Sequence, residues 1–281
     1  MKNILIYGNC QSYSISQTLN LSNKYYNITT IICFNTNIIE KDFLKIINNS
    51  DIIITQSIND NYRDKYYLST SYILEHCSKL CKVIIYDSCY FNFYHFDLTY
   101  KYNKDGSINK PCDYHYTNMI DYYKNNKSKK DYLLNIVNNK NFKSSTELEN
   151  IANKSIEELK KRYNLNQNKY SKIRNDIYII STYDFIKDNY KKKLLFYSIN
   201  HPSKYIFHFI CNSILKYLNI ESKMNYNVDL LSHLRCIMYK CIQNVVEFDI
   251  SKYEPKLNNL NNNEDIVNLY FDKYKEYELK F

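Results

Sequence analysis

The sequence contains no tryptophan, two glycines, three prolines and only four arginines (Arg63, Arg162, Arg174 and Arg235) in 281 residues. So few arginines, with no recognisable nucleic-acid-binding motif, argue against a sequence-specific reader of DNA, which leans on the bidentate guanidinium fork. No apolar stretch approaches the ~20 residues of a membrane span. The longest, around Tyr205–Leu215, is interrupted by His208, Cys211, Asn212 and Ser213. The chain runs almost at once into Ile4–Tyr7, which is too short for a signal-peptide core. Nine cysteines without regular spacing do not make a disulfide framework. Cys77-x3-Cys81 and Cys236-x4-Cys241 fit helical turns better than zinc knuckles, and no histidine flanks them at ligand spacing. These shortages predict a protein of a reducing, cytoplasmic compartment with no membrane span, no metal and no nucleic-acid partner.

Hydrophobic residues make up 44% of the chain, enough to bury a core. Asn, Lys, Ile and Tyr are so abundant, with 32 tyrosines, that the enrichment reads as nucleotide bias rather than function. The formal net charge of +9 comes from scattered lysines. A basic solvated surface accounts for it, and it also permits an anionic partner such as a phosphorylated cofactor.

The first ninety residues alternate. Ile4–Tyr7, Ile28–Phe34, Ile52–Thr55 and Val83–Tyr86 are apolar, β-branched runs. Between them, Gln11–Leu21, Glu40–Ile47 and Asp64–Leu80 carry apolar residues at helical spacing. Continuous apolar strands separated by amphipathic helices predict an α/β fold with a doubly wound, mostly parallel sheet of flavodoxin-like kind. Ile177–Ser181 returns as a strand, and Phe196–Ile199 reads as one more. Helices are expected from Tyr183 and over Lys204–Leu218. The predicted organisation is a single domain: a core over about 1–112 and 175–220, a helical insertion over about 113–174, and a helical tail over about 221–281. Ser144-x-x-Glu147 marks a helix start within the insertion.

In open parallel sheets, sites form beyond the carboxyl ends of the strands. Gly8-Asn9-Cys10-Gln11 follows the first run, and a glycine there stands out in so glycine-poor a chain. Glycine admits a positive φ or a close approach of other groups. The turn would set Cys10 at a helix start, where the helix field favours a thiolate and backbone N–H groups face an anion. Cys10 is therefore the candidate nucleophile, against the competing reading of an inert buried thiol. Gln56 follows the third run, and its amide suits a developing oxyanion. Arg63, at a loop-to-helix entry, suits a phosphate or is simply a surface residue. Asn200-His201-Pro202-Ser203 places an imidazole just before a proline at a helix start, a fitting position for a general base. His115 is the other histidine worth retaining.

Together, Gly8-Asn9-Cys10-Gln11, then Gln56 with Tyr62-Arg63 and Thr70, Tyr90-Phe91, Asp113-Tyr114-His115 and His201-Pro202-Ser203 resemble the WcbI-type polysaccharide-biosynthesis acetyltransferases over about residues 1–220. The Gly-Asn-Cys-Gln tetrapeptide is the most specific element. The resemblance implies an architecture similar to SGNH-type esterases and binding of coenzyme A or acetyl-coenzyme A. It also implies transfer of an acetyl group to a sugar hydroxyl of a surface polysaccharide or glycan. On that basis Cys10 and His201 would be catalytic, and Gln11 with Gln56 polar site residues. Gly8, Asn9, Ser12, Arg63, Thr70 and Ser203 would then contact the cofactor. Covalent transfer through Cys10 and direct attack assisted by His201 both remain open. So do an esterase or thioesterase that uses water as acceptor, and a non-catalytic coenzyme A-binding protein.

Overall fold

A strand buried on both faces needs an apolar side chain at nearly every position, which the isoleucine runs supply. The computed structural model describes residues 1–22, 24–34, 37–100 and 111–276. It divides into two compact units. The first comprises Met1–Cys89, Ile156–Asp188 and Pro202–Leu231; the second comprises Tyr90–Ser155, Asn189–His201 and Ser232–Phe281.

In the first unit β1 (Lys2–Gly8), α1 (Cys10–Leu19), β2 (Tyr26–Ile32), α2 (Glu40–Asn48), β3 (Ile52–Gln56), α3 (Thr70–His76) and β4 (Lys82–Tyr86) follow in turn. The second unit continues with β5 (Leu98–Tyr100), β6 (Tyr114–Tyr116), α4 (Thr117–Lys124) and α5 (Lys129–Tyr132). Next come α6 (Ser145–Tyr170), which passes from the second segment set into the first, then β7 (Tyr178–Ile180), α7 (Tyr183–Asn189), α8 (Lys204–Leu218) and α9 (Asn263–Glu276).

The sheet of the first unit has the order β2-β1-β3-β4-β7, and every pair is parallel. That is the flavodoxin-like 2-1-3-4-5 arrangement, and the four N-terminal strands are neighbours as predicted. Ile4 pairs with both Ile28 and Ile52, and Ile54 with Ile84, so the isoleucines align across the sheet. One face, with Leu5, Tyr7, Ile53, Val83 and Ile85, is covered by Phe43 and Ile47 of α2 and by Tyr72, Ile73 and Leu74 of α3. Residues two apart share a face of a strand, so Ile4, Ile6, Ile54 and Ile84 point the other way. On that side α1 packs on β1 and β2, and α8 on α1 and β7. Ile206, Ile210, Cys211 and Ile214, at i, i+4, i+5 and i+8, form the buried stripe of α8.

Two local expectations are corrected. The helix predicted over Asp64–Leu80 is confined to Thr70–His76. Arg63 and Asp64 have φ of 53° and 56°, the left-handed region, so the chain before it makes only short 3₁₀ turns. The helix starts where Ser69 accepts the Tyr72 N–H at 3.1 Å. Phe196–Ile199 is not a strand of the sheet. The chain between 221 and 262 makes 3₁₀ turns, and α9 supplies the helical end.

The second unit pairs β5 with β6 antiparallel and is built around tyrosines. Phe91, Phe93, Tyr94, Tyr190 and Phe196 stack in one aromatic cluster. The Tyr94 hydroxyl donates to the Tyr190 carbonyl at 2.6 Å, which supplies the polar partner a buried phenol needs. From α9, the Tyr270 hydroxyl donates to the Tyr114 carbonyl at 2.7 Å. His115 Nδ1 lies 3.0 Å from the Tyr274 hydroxyl, with the ring fully buried and stacked on Tyr274. His115 is thus a core residue of the second unit.

Candidate active site

The carboxyl end of β1 turns directly into α1. Asn9 caps the helix, its side-chain oxygen accepting the Gln11 N–H at 2.9 Å. The Ser12 hydroxyl and N–H both reach back to the Asn9 carbonyl, at 2.8 and 3.0 Å. Cys10 is the first helical residue and is half-buried. With the Gln11 and Ser12 N–H groups bonded within the turn, the helix start acts on Cys10 chiefly through its field.

Gln56, the last residue of β3, lies alongside. Its Oε1 accepts the Asn9 N–H at 2.9 Å, which fixes the orientation of the amide. The other end of that amide, Nε2, is buried without a hydrogen-bond partner among the described residues. The backbone behind it is held by Thr70, whose hydroxyl donates to the Gln56 carbonyl at 2.7 Å and accepts the Ile58 N–H at 2.9 Å.

Gly8 is required by space rather than by a positive φ. A Cβ there would sit 2.5 Å from the Tyr86 hydroxyl and 2.8 Å from the Gln56 Cβ. The Tyr86 hydroxyl, at the end of β4, is likewise buried with no partner among the described residues. Burial leaves it well above the ordinary phenol range. The glycine therefore lets two unsatisfied donors close in around the turn that carries Cys10. Unsatisfied buried donors are costly, and such costs gather at functional sites.

Gln11 braces this arrangement. Its Nε2 donates to the Cys89 carbonyl at 3.2 Å and its Oε1 accepts the Cys89 N–H at 3.3 Å, tying α1 to the segment after β4. Two residues earlier is Asp87, buried, with its carboxylate accepting from Asn166 at 2.6 Å. Burial pushes the Asp87 carboxyl up to about 6, against the pull of Asn166 and Arg162. Tyr86 and Asp87 were not singled out from the sequence. Their signal was available: both stand at the carboxyl end of the fourth apolar run.

Arg63 is exposed. It donates to the Phe34 carbonyl at 2.9 Å and lies over the Tyr62 ring, leaving part of its fork for an anion. Ser203 stands at the N-cap position of α8 and is buried.

His201 belongs to the second unit. Its carbonyl accepts the Tyr197 N–H at 2.8 Å. The preceding Asn200 accepts from the Ser198 hydroxyl at 3.2 Å and from the Tyr114 hydroxyl. The Tyr114 ring meets the imidazole edge-on at 5.9 Å, and the His233 ring lies 5.9 Å away. Burial, with His233 beside it, pushes the imidazole down to about 4, so the ring is neutral at neutral pH. Its Nδ1 has no hydrogen-bond partner among the described residues, so no carboxylate orients it in the manner of a triad.

The family described as the polysaccharide biosynthesis enzyme WcbI matches residues 3–223. The chain belongs to that family. A solved structure of WcbI, described as a novel polysaccharide biosynthesis enzyme, superposes with a TM-score of 0.81. It is 18% identical and covers 98% of this chain and 90% of its own. That structure is described as native protein without a disulfide bond between coenzyme A and one of its cysteines. No curated protein matches. The match to WcbI takes in Cys10, Gln56 and His201 and ends before α9. Among the described residues no helix is long and apolar enough to cross a membrane, and no group of His, Cys, Asp or Glu could hold a metal ion.

Proposed function

We propose that this member of the WcbI family transfers an acetyl group from acetyl-coenzyme A to a sugar hydroxyl of a surface polysaccharide or glycan. The observation that carries the reading is the Gln56 amide. One end is fixed on the turn that holds Cys10, and the other is a buried donor with no acceptor among the described residues. A carbonyl oxygen that gains negative charge during acyl transfer is the acceptor such a donor suits. Arg63 and the start of α1 suit the phosphates, and coenzyme A supplies the thioester that carries the acetyl group. The solved relative's description links coenzyme A with a cysteine, and we take Cys10 as the corresponding thiol here.

In the proposed route the Cys10 thiolate attacks the acetyl carbon, a new C–Sγ bond forms, and the thioester C–S bond breaks to release coenzyme A as its thiolate. The sugar oxygen then attacks the same carbon, the C–Sγ bond breaks, and His201 takes the hydroxyl proton. A neutral His201 is in the correct state to accept it.

The test is mass spectrometry of the full chain after incubation with acetyl-coenzyme A, alongside transfer rates for variants. An acetyl adduct on Cys10, lost in Cys10→Ala, is expected. His201→Ala and Gln56→Leu should each lower transfer ~100-fold or more. Full transfer in Cys10→Ala would remove the covalent route and leave direct attack assisted by His201. Full transfer in Cys10→Ala and in His201→Ala would remove both. Acetate release without transfer to any sugar would identify a thioesterase. Binding with no turnover would identify a non-catalytic coenzyme A-binding protein.

A further inference from the structure

At the amino-terminal edge of the same sheet, away from the ends of β1 and β3, two cysteines are gathered around one arginine. Cys77 ends α3 and Cys81 immediately precedes β4. Arg174 folds the turn between them onto its guanidinium. Its Nη1 donates to the Cys77 sulfur at 3.0 Å and to the Ser78 carbonyl at 2.9 Å. Its Nη2 donates to the Lys79 carbonyl at 3.1 Å and the Cys81 carbonyl at 2.6 Å. The Arg174 side chain is only 9% exposed, and Asp176 closes the far side of the fork. A guanidinium this buried, spending a donor on sulfur, is best matched by a thiolate. The two thiols stand at the ends of the turn that Arg174 holds, the Cys77 sulfur 3.7 Å from the Leu74 carbonyl and the Cys81 sulfur 3.7 Å from the Lys82 carbonyl.

We infer that Cys77 and Cys81 form a thiol–disulfide exchange site, with Cys77 as the attacking thiolate, Cys81 as the resolving thiol, and a low-molecular-weight disulfide as the oxidant. The site has space for such a reactant. Cys77 opens on a cavity of about 780 Å³ lined also by Glu75, Lys79, Lys172, Arg174 and Asp176. The lysines favour an anionic disulfide such as glutathione disulfide. The electrostatics agree with the geometry. Cys81 and Arg174 together hold the Cys77 thiol down to about 7, despite burial, while the Cys81 thiol is pushed up by Cys77, by burial and by Asp51. One sulfur is then poised to attack and the other keeps its proton.

In the first step the Cys77 thiolate attacks one sulfur of the disulfide. A mixed S–S bond forms and one glutathione thiolate leaves. In the second, Cys81 loses its proton and attacks the Cys77 sulfur, releasing the second glutathione. Two electrons pass from the cysteine pair to glutathione disulfide, and the chain gains a Cys77–Cys81 bond. The bond closes only the short turn between the end of α3 and the start of β4, whose carbonyls Arg174 already gathers.

The experiment treats the reduced full-length chain with glutathione disulfide at neutral pH, quenches with acid, alkylates, and maps peptides by mass spectrometry. A Cys77–Cys81 linkage should form first, and Cys81→Ser should stop at glutathione on Cys77. Cys77 and Cys81 remaining reduced while the half-buried Cys10 and Cys112 take up glutathione would overturn the inference. The wild-type chain provides a readout independent of variant folding. Iodoacetamide labelling of Cys77 should be half-maximal at a pH below the ~8.5 of an ordinary thiol, and a midpoint at or above that value would also overturn it.

Discussion

At the scale of single residues, the site is defined by what does not fit. Gly8 is surrounded by the Tyr86 hydroxyl and the Gln56 Cβ, so Gly8→Ala should cost about 1–3 kcal/mol by overpacking. Deleting the hydroxyl with Tyr86→Phe should recover a good part of that loss in the double variant, because the closest of the two contacts disappears. Urea unfolding of the two single variants and the double variant measures the coupling; additive losses would contradict the geometry. Asp87 makes a second case. Its carboxyl is raised by burial from 3.8 to about 6, so the folded chain holds that proton more tightly than the unfolded chain. The associated stability is fully present below ~3.8 and is lost as pH rises through about 6. Above that pH the buried carboxylate is a burden of order 1–3 kcal/mol. Asp87→Asn keeps an acceptor for Asn166 and should therefore be the more stable chain at pH ~8, with the advantage gone near pH ~4. Unfolding curves at the two pH values measure it, and a difference independent of pH would contradict it.

At the scale of elements, local rules were legible where a side chain has one job. The capping box read from Ser144-x-x-Glu147 is present. The Ser144 N–H and hydroxyl both reach the Glu147 carboxylate at 2.8 Å, and the Ser144 oxygen accepts the Glu147 N–H at 3.3 Å. Ser144→Ala should lower stability by ~1 kcal/mol, read from thermal or urea unfolding, with no effect on the chemistry at Cys10. The four N-terminal strands were legible because an unbroken β-branched run has one good use in an α/β protein. The helix over Asp64–Leu80 was overdrawn because apolar spacing carries no information on φ, and Arg63 and Asp64 take left-handed values. Phe196–Ile199 was read as a strand for a similar reason. A short apolar run fits a strand or an irregular buried segment equally, and here Phe196 is part of the aromatic cluster of the second unit. Cys10, Gln56 and Gly8 could be found by position, since each follows or ends an apolar run. Tyr86 and Asp87 obey the same rule, but abundant tyrosine hid the first and the motif-centred reading passed over the second. The sequence left Gly8 open between a positive φ and a close approach, and the structure requires it for close approach. The distinction depends on side chains from β3 and β4 that no local sequence pattern specifies.

At the scale of the whole molecule, the chain carries a formal net charge of +9. Membership of the WcbI family over residues 3–223 leaves that excess of positive charge without an explanation. If the proposed cosubstrate is coenzyme A, that excess acts on a ligand with several negative charges, and the interaction must be screened by salt. The Debye length falls from about 30 Å at ~0.01 M ionic strength to about 10 Å at ~0.1 M, so distant lysines contribute at the first and little at the second. Affinity for coenzyme A, measured calorimetrically on the full chain, should therefore weaken severalfold over that range. Arg63 is exposed, with part of its guanidinium held by the Phe34 carbonyl, and in the proposed complex it would meet a phosphate at contact distance rather than through the long-range field. Arg63→Ala should weaken binding roughly tenfold at low and high salt alike, the value of one charge-assisted hydrogen bond. A loss that vanishes at high salt would assign Arg63 to the general field and place the phosphates elsewhere. Affinity insensitive both to salt and to Arg63→Ala would mean that the positive balance serves solubility alone, and that coenzyme A is not held by its phosphates in this chain.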